Sequence, residues 1–288
     1  MLKILVTGAN GQLGNEMRRL GAISPNQYLF TDVAELDITN REAVMQLVAD
    51  WEADVIVNCA AYTQVDRAEE EPELARKLNC DAVENLALAA KARGAMLIHV
   101  STDYVFGGEG NIPRTEEMEV NPLGVYGLTK WEGEEAVRRT GCRHLIFRTA
   151  WLYSEFGGNF LKTMLRLMSE RKELRVVFDQ VGTPTYAGDL AITLFGIIES
   201  GKYLEHEGTY HFSNEGVCSW YDFAVEIARE AGFDGVTVLP CHSSEYPSKV
   251  VRPAYSVLDK SKLKRDFEID IPHWREAMCY CLKRLKMQ

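Results

Sequence analysis

The sequence predicts an α/β fold in which a doubly wound parallel sheet is followed by a smaller C-terminal lobe. Short continuous apolar runs alternate with helical patterns through the first half of the 288-residue chain, as parallel strands joined by crossover helices do. Three closely spaced glycines, Gly8, Gly11 and Gly14, follow the first apolar run and overlap the start of the first helical pattern. Because the alternation loosens after about Thr149, we predict one domain over residues 1–149 and a second lobe mainly over residues 150–288, with some segments of that lobe returning to the sheet.

Five apolar runs of the first half are expected to be buried strands: 2–6, 28–30, 54–59, 96–100 and 144–147. Helical patterns lie between them, at 11–20, 42–51, 72–93 and 125–139. Thr39 and Asn40 can cap the second of these helices, and Pro72 can begin the third. Gly94 and Gly141 can end the third and the fourth.

The second half alternates helices and strands less regularly. Helices are expected at 160–171, 187–199, 220–231 and 274–285, and short strands at 175–178 and 209–212. A segment rich in serine and proline, 240–253, indicates a loop. We therefore expect a lobe of mixed structure that covers the carboxyl-terminal edge of the sheet.

Composition and charge exclude several classes of protein. The formal net charge is -10 and the isoelectric point is about 5.2, whereas a nucleic-acid-binding protein would carry a basic stripe. No apolar run approaches the roughly 18 residues of a membrane span, and the first run is too short for a secretion signal. Seven cysteines, an odd number, are typical of reduced thiols and lack the spacing of a zinc site. We therefore expect a cytoplasmic protein that binds neither nucleic acid nor a membrane.

The segment after the first strand predicts a dinucleotide site. Glycines let the backbone approach a pyrophosphate, and the N-terminus of the following helix offers free N–H groups. This order of strand, glycines and helix is typical of Rossmann-like folds, although the glycine spacing is one residue longer than in the usual motif. The cofactor-binding residues expected here are Gly8, Asn10, Gly11, Gln12, Leu13 and Gly14.

Asp32 ends the second strand 18 residues after Gly14, where a carboxylate binds the ribose hydroxyls of NAD. A carboxylate repels the 2′-phosphate of NADP, whereas Arg18 and Arg19 on the first helix can offset that repulsion. The cofactor is therefore predicted as NAD(H) or NADP(H), with the choice between them open. Further contacts are expected at the adenine from Asp37 and Ile38, and at the nicotinamide ribose from Ala60, Ala61 and Tyr62.

Tyr126 and Lys130 predict the chemistry. They are four residues apart in a helical pattern and therefore share one face of the helix. A lysine ammonium close to a phenol favours the phenolate, so we expect the pKa of Tyr126 to lie below its usual value of about 10. Such a tyrosine can donate a proton to a carbonyl oxygen while the carbonyl carbon receives a hydride. Thr102 follows the apolar run that precedes this helix and adds a hydroxyl to the same region.

Six segments together resemble the extended short-chain dehydrogenase/reductase family, over nearly the whole chain. They are Ala60-Ala61-Tyr62-Thr63-x-Val65-Asp66-x-Ala68-Glu69, Ser101-Thr102-Asp103-Tyr104-Val105-Phe106, Pro122-x-x-x-Tyr126-Gly127-x-x-Lys130, Arg148-Thr149-Ala150-Trp151, Asp179-Gln180-x-Gly182-x-Pro184-Thr185 and Arg252-Pro253-x-x-Ser256-x-Leu258-Asp259. The resemblance implies that Thr102, Tyr126 and Lys130 are the catalytic residues, with Tyr126 as the proton donor. It also implies sugar contacts from Asp103, Tyr104 and Trp151.

Within that family the segments are most similar to reductases of dTDP-linked sugars. This implies hydride transfer from NAD(P)H to the C4 keto group of a dTDP-deoxysugar, in deoxysugar and polysaccharide biosynthesis. Tyr104 fits reduction. The resemblance implies that related dehydratases have Thr-Asp-Glu where this chain has Thr102-Asp103-Tyr104, and that the glutamate carboxyl group is what eliminates water. Arg252, together with Lys249, is the candidate partner of the substrate diphosphate. Two alternatives stay open: a reductase or epimerase of another sugar nucleotide, and a non-catalytic regulatory subunit like that of methionine adenosyltransferase.

The resemblance also implies, for some members of the family, a dimer held by a magnesium ion between acidic residues of two helices. Glu16 matches the first of these acids. Gly188 and Ile192 stand where the others would be expected, and Asp189 is one position away. We therefore expect no metal, and either a monomer or a weak homodimer.

Overall fold

The computed structural model describes residues 1–246 and 248–287. The strands of the first half are β1 (Lys3–Thr7), β2 (Gln27–Thr31), β3 (Val55–Asn58), β4 (Met96–Thr102) and β5 (His144–Thr149). The helices of this half are α1 (Gln12–Gly21), α2 (Arg41–Trp51), α3 (Val65–Ala68), α4 (Pro72–Arg76), α5 (Ala82–Arg93) and α6 (Val125–Thr140). The five predicted strands are present, and the predicted helical regions differ from the structure mainly in an interruption between α4 and α5.

The second half contains shorter strands and five helices within the described residues. The strands are β6 (Leu152–Tyr153), β7 (Glu173–Val177), β8 (Val181–Gly182), β9 (Thr185–Tyr186), β10 (Gly208–Phe212), β11 (Cys218–Ser219) and β12 (Thr237–Cys241). The helices are α7 (Phe160–Glu170), α8 (Ala187–Glu199), α9 (Trp220–Ala231), α10 (Ser261–Phe267) and α11 (Trp274–Leu285). No helix in the described part of the chain is long and apolar enough to cross a membrane.

Six parallel strands form the central sheet, in the order β10-β5-β4-β3-β1-β2. The chain first moves from β1 to β2 on one side and then to β3, β4 and β5 on the other, which is the doubly wound topology that the sequence predicts. The order reverses between β1 and β3, and open α/β sheets bind ligands at the carboxyl ends of the strands beside such a point. The fold class is confirmed, and the site is expected at this edge.

Helices cover both faces of the sheet because its inner strands are apolar on both sides. Leu5 and Val6 of β1 point to opposite faces, as successive strand residues do, and both are fully buried. Val6 packs into a core shared with α1 and α8, whereas Leu5 packs into a core shared with α2 and α5. Burying such side chains contributes about 1.5–3 kcal/mol each, so the sheet is a rigid base for the residues at its edge.

The helix predicted over 72–93 is interrupted by a wide turn of π-helical form, Lys77–Asp81. The turn carries Asn79, whose side chain is fully buried and bonds the backbone of Tyr62 on both sides, accepting from its N–H at 2.8 Å and donating to its carbonyl at 3.1 Å. Gly133 of α6 lies against it, since a Cβ atom at Gly133 would be only 2.1 Å from the Asn79 carbonyl oxygen. The interruption therefore fixes the chain that follows β3, a detail that helical periodicity does not show.

The second lobe has a core of its own and sends two elements to the sheet. Buried aromatic and aliphatic side chains of α7, α9 and α11 pack together around Phe223 and Met278. In contrast, β10 pairs with β5 at the edge of the central sheet, and α8 packs against α1. The sequence boundary at residue 149 stays a prediction.

The two-residue strands β6, β8, β9 and β11 are not predicted from the sequence, and two longer elements of the second half also differ from the sequence analysis. The segment predicted as a loop over 240–253 begins inside β12, which pairs with β7 and tolerates Pro240 because a two-stranded pair leaves one side of the strand without a partner. The sequence does not predict helix α10, because its seven residues are too short to show a clear helical period. The part of the predicted loop at Pro247 lies outside the described residues.

Candidate active site

The glycine loop after β1 allows a close approach of three backbone segments. Gly8 has a φ of 66°, and a Cβ atom there would lie 2.5 Å from the Ala60 nitrogen. A Cβ atom at Gly14 would lie 2.3 Å from the Gly8 carbonyl oxygen. Gly11 caps α1 without a side chain, so the cap leaves the first N–H groups of the helix accessible to an anion. The loop has the form of a pyrophosphate cradle at the switch point of the sheet.

Other residues of the loop have different surroundings. Asn10 donates its N–H to the Asp32 carboxylate at 2.9 Å, so the acid at the end of β2 borders the loop. The Leu13 side chain is buried in the core of the sheet, which leaves its backbone for the cofactor. The Gln12 amide accepts hydrogen bonds from Ser154 at 3.1 Å and from Asn159 at 3.0 Å. Gln12 therefore joins the loop to the second lobe.

The predicted cofactor contacts beyond the glycine loop differ in their exposure and in their hydrogen-bond partners. Arg18 lies over the Phe30 ring at 4.9 Å and donates to the Asn10 side chain at 3.4 Å, while the backbone of the same asparagine donates to Asp32. Asp37 is exposed, and hydrogen bonds from Thr39 lower its pKa. The remaining predicted contacts are Ile38, Ala60, Ala61 and Tyr62. Of these, the Ile38 side chain is buried, Ala60 and Ala61 are partly exposed beside Gly8, and the Tyr62 hydroxyl donates to Glu71.

The predicted catalytic residues converge at the carboxyl end of β4. Thr102 ends that strand, is buried and donates its hydroxyl to the Asp103 carboxylate at 3.1 Å. Tyr126 lies in the first turn of α6, where the Tyr104 ring meets it edge-on at 5.6 Å between ring centres. Lys130 lies one turn further on, is buried and donates to the Val100 carbonyl at 2.6 Å. The structure thus brings a hydroxyl, a phenol and an ammonium group to one edge of the sheet.

The expected effect of Lys130 on Tyr126 is wrong for this structure. Burial raises the pKa of Tyr126 to about 12, and a hydrogen bond with Thr102 only partly opposes that shift. Burial also lowers the pKa of Lys130 to about 8, and its ammonium group is engaged with the Val100 carbonyl. The sequence places both residues on one helix face but does not show how deeply that face is buried, and burial decides both shifts.

Two sugar-binding candidates, Asp103 and Tyr104, lie directly beside Tyr126. Burial raises the pKa of Asp103 to about 6, while hydrogen bonds with Ser256 and Thr102 lower it. Burial also raises the pKa of Tyr104, and the positive charge of Arg252 opposes that shift. Arg252 itself forms an ion pair with Asp66 at 2.6 Å. Sequence reasoning gives Ser256 no role, although it lies in the same segment as Arg252.

Trp151 is held by a neighbour that sequence reasoning missed. Its backbone adopts a φ of 49°, which is unusual for an aromatic residue. Its ring stacks on the Trp220 ring, with 3.5 Å between centres and 10° between planes. Gly182 gives it room, since a Cβ atom at Gly182 would be 2.8 Å from the Trp151 ring. Trp220 begins α9, more than sixty residues away in sequence, so no local pattern connects the two rings.

Residues 2–287 match the family described as the RmlD substrate binding domain. A dTDP-4-dehydrorhamnose reductase from Aggregatibacter actinomycetemcomitans is 41% identical over an alignment of 288 positions, which covers 96% of this chain and 97% of the relative. The chain belongs to the RmlD substrate binding domain family.

Two solved structures of the same kind agree with this assignment. A dTDP-4-dehydrorhamnose reductase from Clostridium acetobutylicum is 45% identical, with a TM-score of 0.95 over 99% of this chain and 100% of that chain. Another, from Bacillus anthracis in complex with NADP, is 39% identical, with a TM-score of 0.92 over 100% of this chain and 99% of that chain. The resemblance to reductases of dTDP-linked sugars, predicted from the six sequence segments, is thereby confirmed.

The surroundings of Glu16 do not fit the magnesium site that the sequence resemblance implies for some family members. Glu16 accepts from Arg19 at 2.7 Å, and nearby Glu155 is paired with Arg284. A Cβ atom at Gly188 would lie 2.3 Å from the Tyr186 ring, so an acid has no room there. Within residues 1–246 and 248–287, no three acidic, histidine or cysteine side chains are grouped as metal ligands.

The other two positions also leave Glu16 without an acidic partner from α8. Ile192 is 57% exposed, and Asp189 accepts a hydrogen bond from Asn214 at 2.6 Å. Burial, followed by the effect of the Glu155 carboxylate, raises the pKa of Glu16 to about 7. The groups around Glu16 are therefore a second carboxylate and two guanidinium groups, which is an ion-pair cluster and not a set of oxygen ligands for magnesium.

Proposed function

We propose that this chain reduces dTDP-4-dehydrorhamnose to dTDP-rhamnose with NADH or NADPH as hydride donor. The observation that carries the proposal is the meeting of Thr102, Tyr126 and Tyr104 at the carboxyl end of β4, beside the glycine loop of β1. Its family relatives include dTDP-4-dehydrorhamnose reductases that match it over nearly their full length. The relative solved in complex with NADP supports a nicotinamide cofactor in the cradle formed by the glycine loop.

The chain supplies the proton and holds the ketone. The bound reduced nicotinamide supplies the hydride. Because burial raises the pKa of Tyr126 to about 12, its phenol is protonated at neutral pH and can give that proton to the sugar oxygen. As C4 gains the hydride, the carbonyl π bond breaks, the oxygen takes the proton from Tyr126, and an alcohol forms. Thr102, which lies within hydrogen-bonding distance of Tyr126, orients the same oxygen.

Lys130 has a positioning role in this proposal. Its ammonium group uses one hydrogen to bond the Val100 carbonyl and has others for the hydroxyls of the nicotinamide ribose. Burial lowers the pKa of Lys130 to about 8, so the group is mostly charged at pH 7 and can hold those hydroxyls in place. Asp103, Tyr104 and Trp151 are the proposed sugar contacts, and Arg252 faces the diphosphate.

The reaction type follows from the residue at position 104. A phenol whose pKa is raised by burial cannot act as the base that elimination of water requires at neutral pH. The edge-on ring of Tyr104 can instead pack against the sugar beside Tyr126. Reduction without elimination is therefore the chemistry that this site supports best.

The test is oxidation of NADH and NADPH, followed by absorbance, with dTDP-4-dehydrorhamnose and with keto sugars linked to other nucleotides. We expect turnover with the dTDP sugar. Turnover only with another sugar nucleotide would change the substrate, and no turnover together with co-purification of a methionine adenosyltransferase would support the regulatory alternative.

We further propose that the protein works in the cytoplasm as a monomer or a weak homodimer. All seven cysteines are free thiols, and burial raises the pKa of several of them, including Cys59 and Cys80, which suits a reducing compartment. Size-exclusion chromatography over a concentration series tests the oligomeric state.

A further inference from the structure

The loop after β12 is tied to the region of α3 by two ion pairs. Arg252 lies 2.6 Å from the Asp66 carboxylate, and Lys249 pairs with Glu70, which follows α3 closely in the chain. The Arg252–Asp66 pair is partly exposed, with 29% and 47% of the two side chains accessible to solvent, and the Lys249–Glu70 pair is largely exposed, with 67% and 53% accessible. Ser248 adds a hydrogen bond to the Asp66 carboxylate at 3.3 Å. Two cations of the loop are thus occupied by two acids of the sheet domain.

These ion pairs lie beside the candidate active site. The charges of Arg252 and Asp66 act on the pKa of Tyr104 in opposite directions, so both groups lie within electrostatic range of its phenol. The Tyr104 ring in turn contacts Tyr126. Further along the loop, Pro253 packs on Gly108, where a Cβ atom would lie 2.5 Å from the Pro253 Cα. The loop therefore packs on the chain that follows Tyr104.

The same region of α3 also supports the catalytic helix. Glu69 accepts a hydrogen bond from the Val125 N–H, at the N-terminus of α6, at 2.7 Å. Val250 of the loop approaches Gly124 just before that helix, since a Cβ atom at Gly124 would be 3.1 Å from its side chain. A change in the ion pairs between the loop and the region of α3 would therefore affect residues that contact the first turn of α6, which carries Tyr126.

A sugar nucleotide brings a competing pair of negative charges to this place. Its diphosphate is attached at C1, across the sugar ring from the C4 that reacts. The width of the sugar ring therefore separates the diphosphate from the atom that Tyr126 protonates. A guanidinium group binds phosphate oxygens in the same two-pronged geometry as it binds a carboxylate. The chain as a whole is acidic, with 42 Asp and Glu residues against 32 Lys and Arg residues, so a bound diphosphate competes with carboxylates for its cations.

We propose that Asp66 and Glu70 are internal competitors of the substrate diphosphate: they hold Arg252 and Lys249 in the free protein and release them to the diphosphate when the sugar nucleotide binds. This inference rests on the proposed function. It makes Asp66 and Glu70 positioning residues that lower the affinity for any nucleoside diphosphate and keep the loop ordered across the cleft before the substrate binds.

The competition predicts that removing an acid increases the affinity for dTDP, which a purely structural role of that acid does not predict. Neutralising Asp66 or Glu70 leaves the cations free, so dTDP should bind more tightly, whereas thymidine, which has no phosphate, should bind with unchanged affinity. Partly exposed ion pairs of this kind correspond to a change of about two- to five-fold in the dissociation constant. Neutralising Arg252 should weaken dTDP binding about ten-fold or more, as expected for a charge-assisted contact.

The test is calorimetric titration of the full-length protein with dTDP and with thymidine. The variants are Asp66→Asn, Glu70→Gln, the double variant and Arg252→Gln. Glu73→Gln is the matched control, because Glu73 is an exposed acid at the start of α4 for which the described residues show no ion pair. Limited proteolysis of the loop is a second measurement, and it should be faster in the double variant without ligand and slow again with dTDP.

Tighter dTDP binding in Asp66→Asn and in the double variant, with Glu73→Gln like the natural protein, supports the competition. Unchanged or weaker dTDP binding in the double variant overturns it, as does equal tightening for thymidine or an Arg252→Gln variant that binds dTDP normally. Turnover of the keto sugar by the natural protein separates the two proposals. If that turnover is present while the variants behave wrongly, only the competition fails; if dTDP does not bind at all, both fail.

Discussion

Replacing Tyr126 by Phe separates the proton donor from the packing of the same ring. The ring contacts Tyr104 edge-on and belongs to a small apolar cluster with Tyr62 and Val125, and a phenylalanine keeps all of these contacts. The change removes only the hydroxyl group, which bonds Thr102. We therefore expect a folded protein that binds its cofactor normally and has lost most of its turnover.

The size of the loss follows from the role assigned to the hydroxyl. General acid catalysis by a positioned side chain is worth about 10²–10⁴-fold, or about 3–5 kcal/mol of the activation free energy. Because burial raises the pKa of Tyr126 to about 12, fewer than about one molecule in a thousand lacks the proton at pH 8. The ratio of kcat of Tyr126→Phe to kcat of the natural protein should therefore stay constant between pH 6.5 and 9. Titration of Lys130 does not change this ratio, because Lys130 is present in both proteins.

The assay compares kcat for cofactor oxidation in the natural protein and in Tyr126→Phe across that pH range. Fluorescence titration with NADPH and a thermal melt serve as controls for cofactor binding and for folding. A loss of less than ten-fold with the keto-sugar nucleotide would refute the assignment of Tyr126 as proton donor. A ratio that falls steadily with rising pH would show that the phenol titrates near neutrality, which contradicts a pKa raised by burial.

The remaining predictions concern the cofactor, the sugar and the metal. Asp32→Ser should shift the ratio of kcat/KM toward NADPH, because it removes a negative charge beside the glycine loop; an unchanged ratio would show that Asp32 does not face the ribose. Trp220→Ala should raise KM for the sugar nucleotide about three- to ten-fold with a smaller change in kcat, because the stacked ring supports Trp151, and Trp220→Phe should restore most of the loss; equal KM values would contradict this. EDTA should change neither activity nor oligomeric state, because arginines already neutralise the carboxylates around Glu16; a dimer that dissociates on chelation in size-exclusion chromatography would show otherwise.

The parts of the fold that sequence predicts well are those set by local chemistry. The strand β1 is a buried apolar run, Asn40 caps α2 by accepting from the Ala43 N–H at 3.1 Å, and Gly141 ends α6 with a φ of 67°. Each of these signals lies within a few residues of the feature that it controls. The same holds for the glycine loop, whose residue order follows directly from the close approach of the backbone at Gly8.

Features that depend on contacts between distant segments could not be predicted in this way. The stacking of Trp151 on Trp220 and the hydrogen bond between Asp103 and Ser256 each join segments far apart in sequence. The pKa of Tyr126 is a further case, since the helix period gives the face of Lys130 but not the depth of burial that outweighs its charge. Residue spacing shows which groups can meet, and only the packed structure shows which effect is larger.

The cluster around Glu16 shows both sides of this limit. Sequence spacing alone indicates that Gly188 cannot supply an acid, and the structure adds the reason, because the Tyr186 ring occupies that space and donates its hydroxyl to Glu155 at 2.9 Å. No local pattern, however, connects Glu16 to Arg284, which belongs to the last helix of the chain. That guanidinium and Arg19 supply the positive charge that two neighbouring buried carboxylates need. A divalent ion would have to compete with both cations for these carboxylates, so we expect none to bind here.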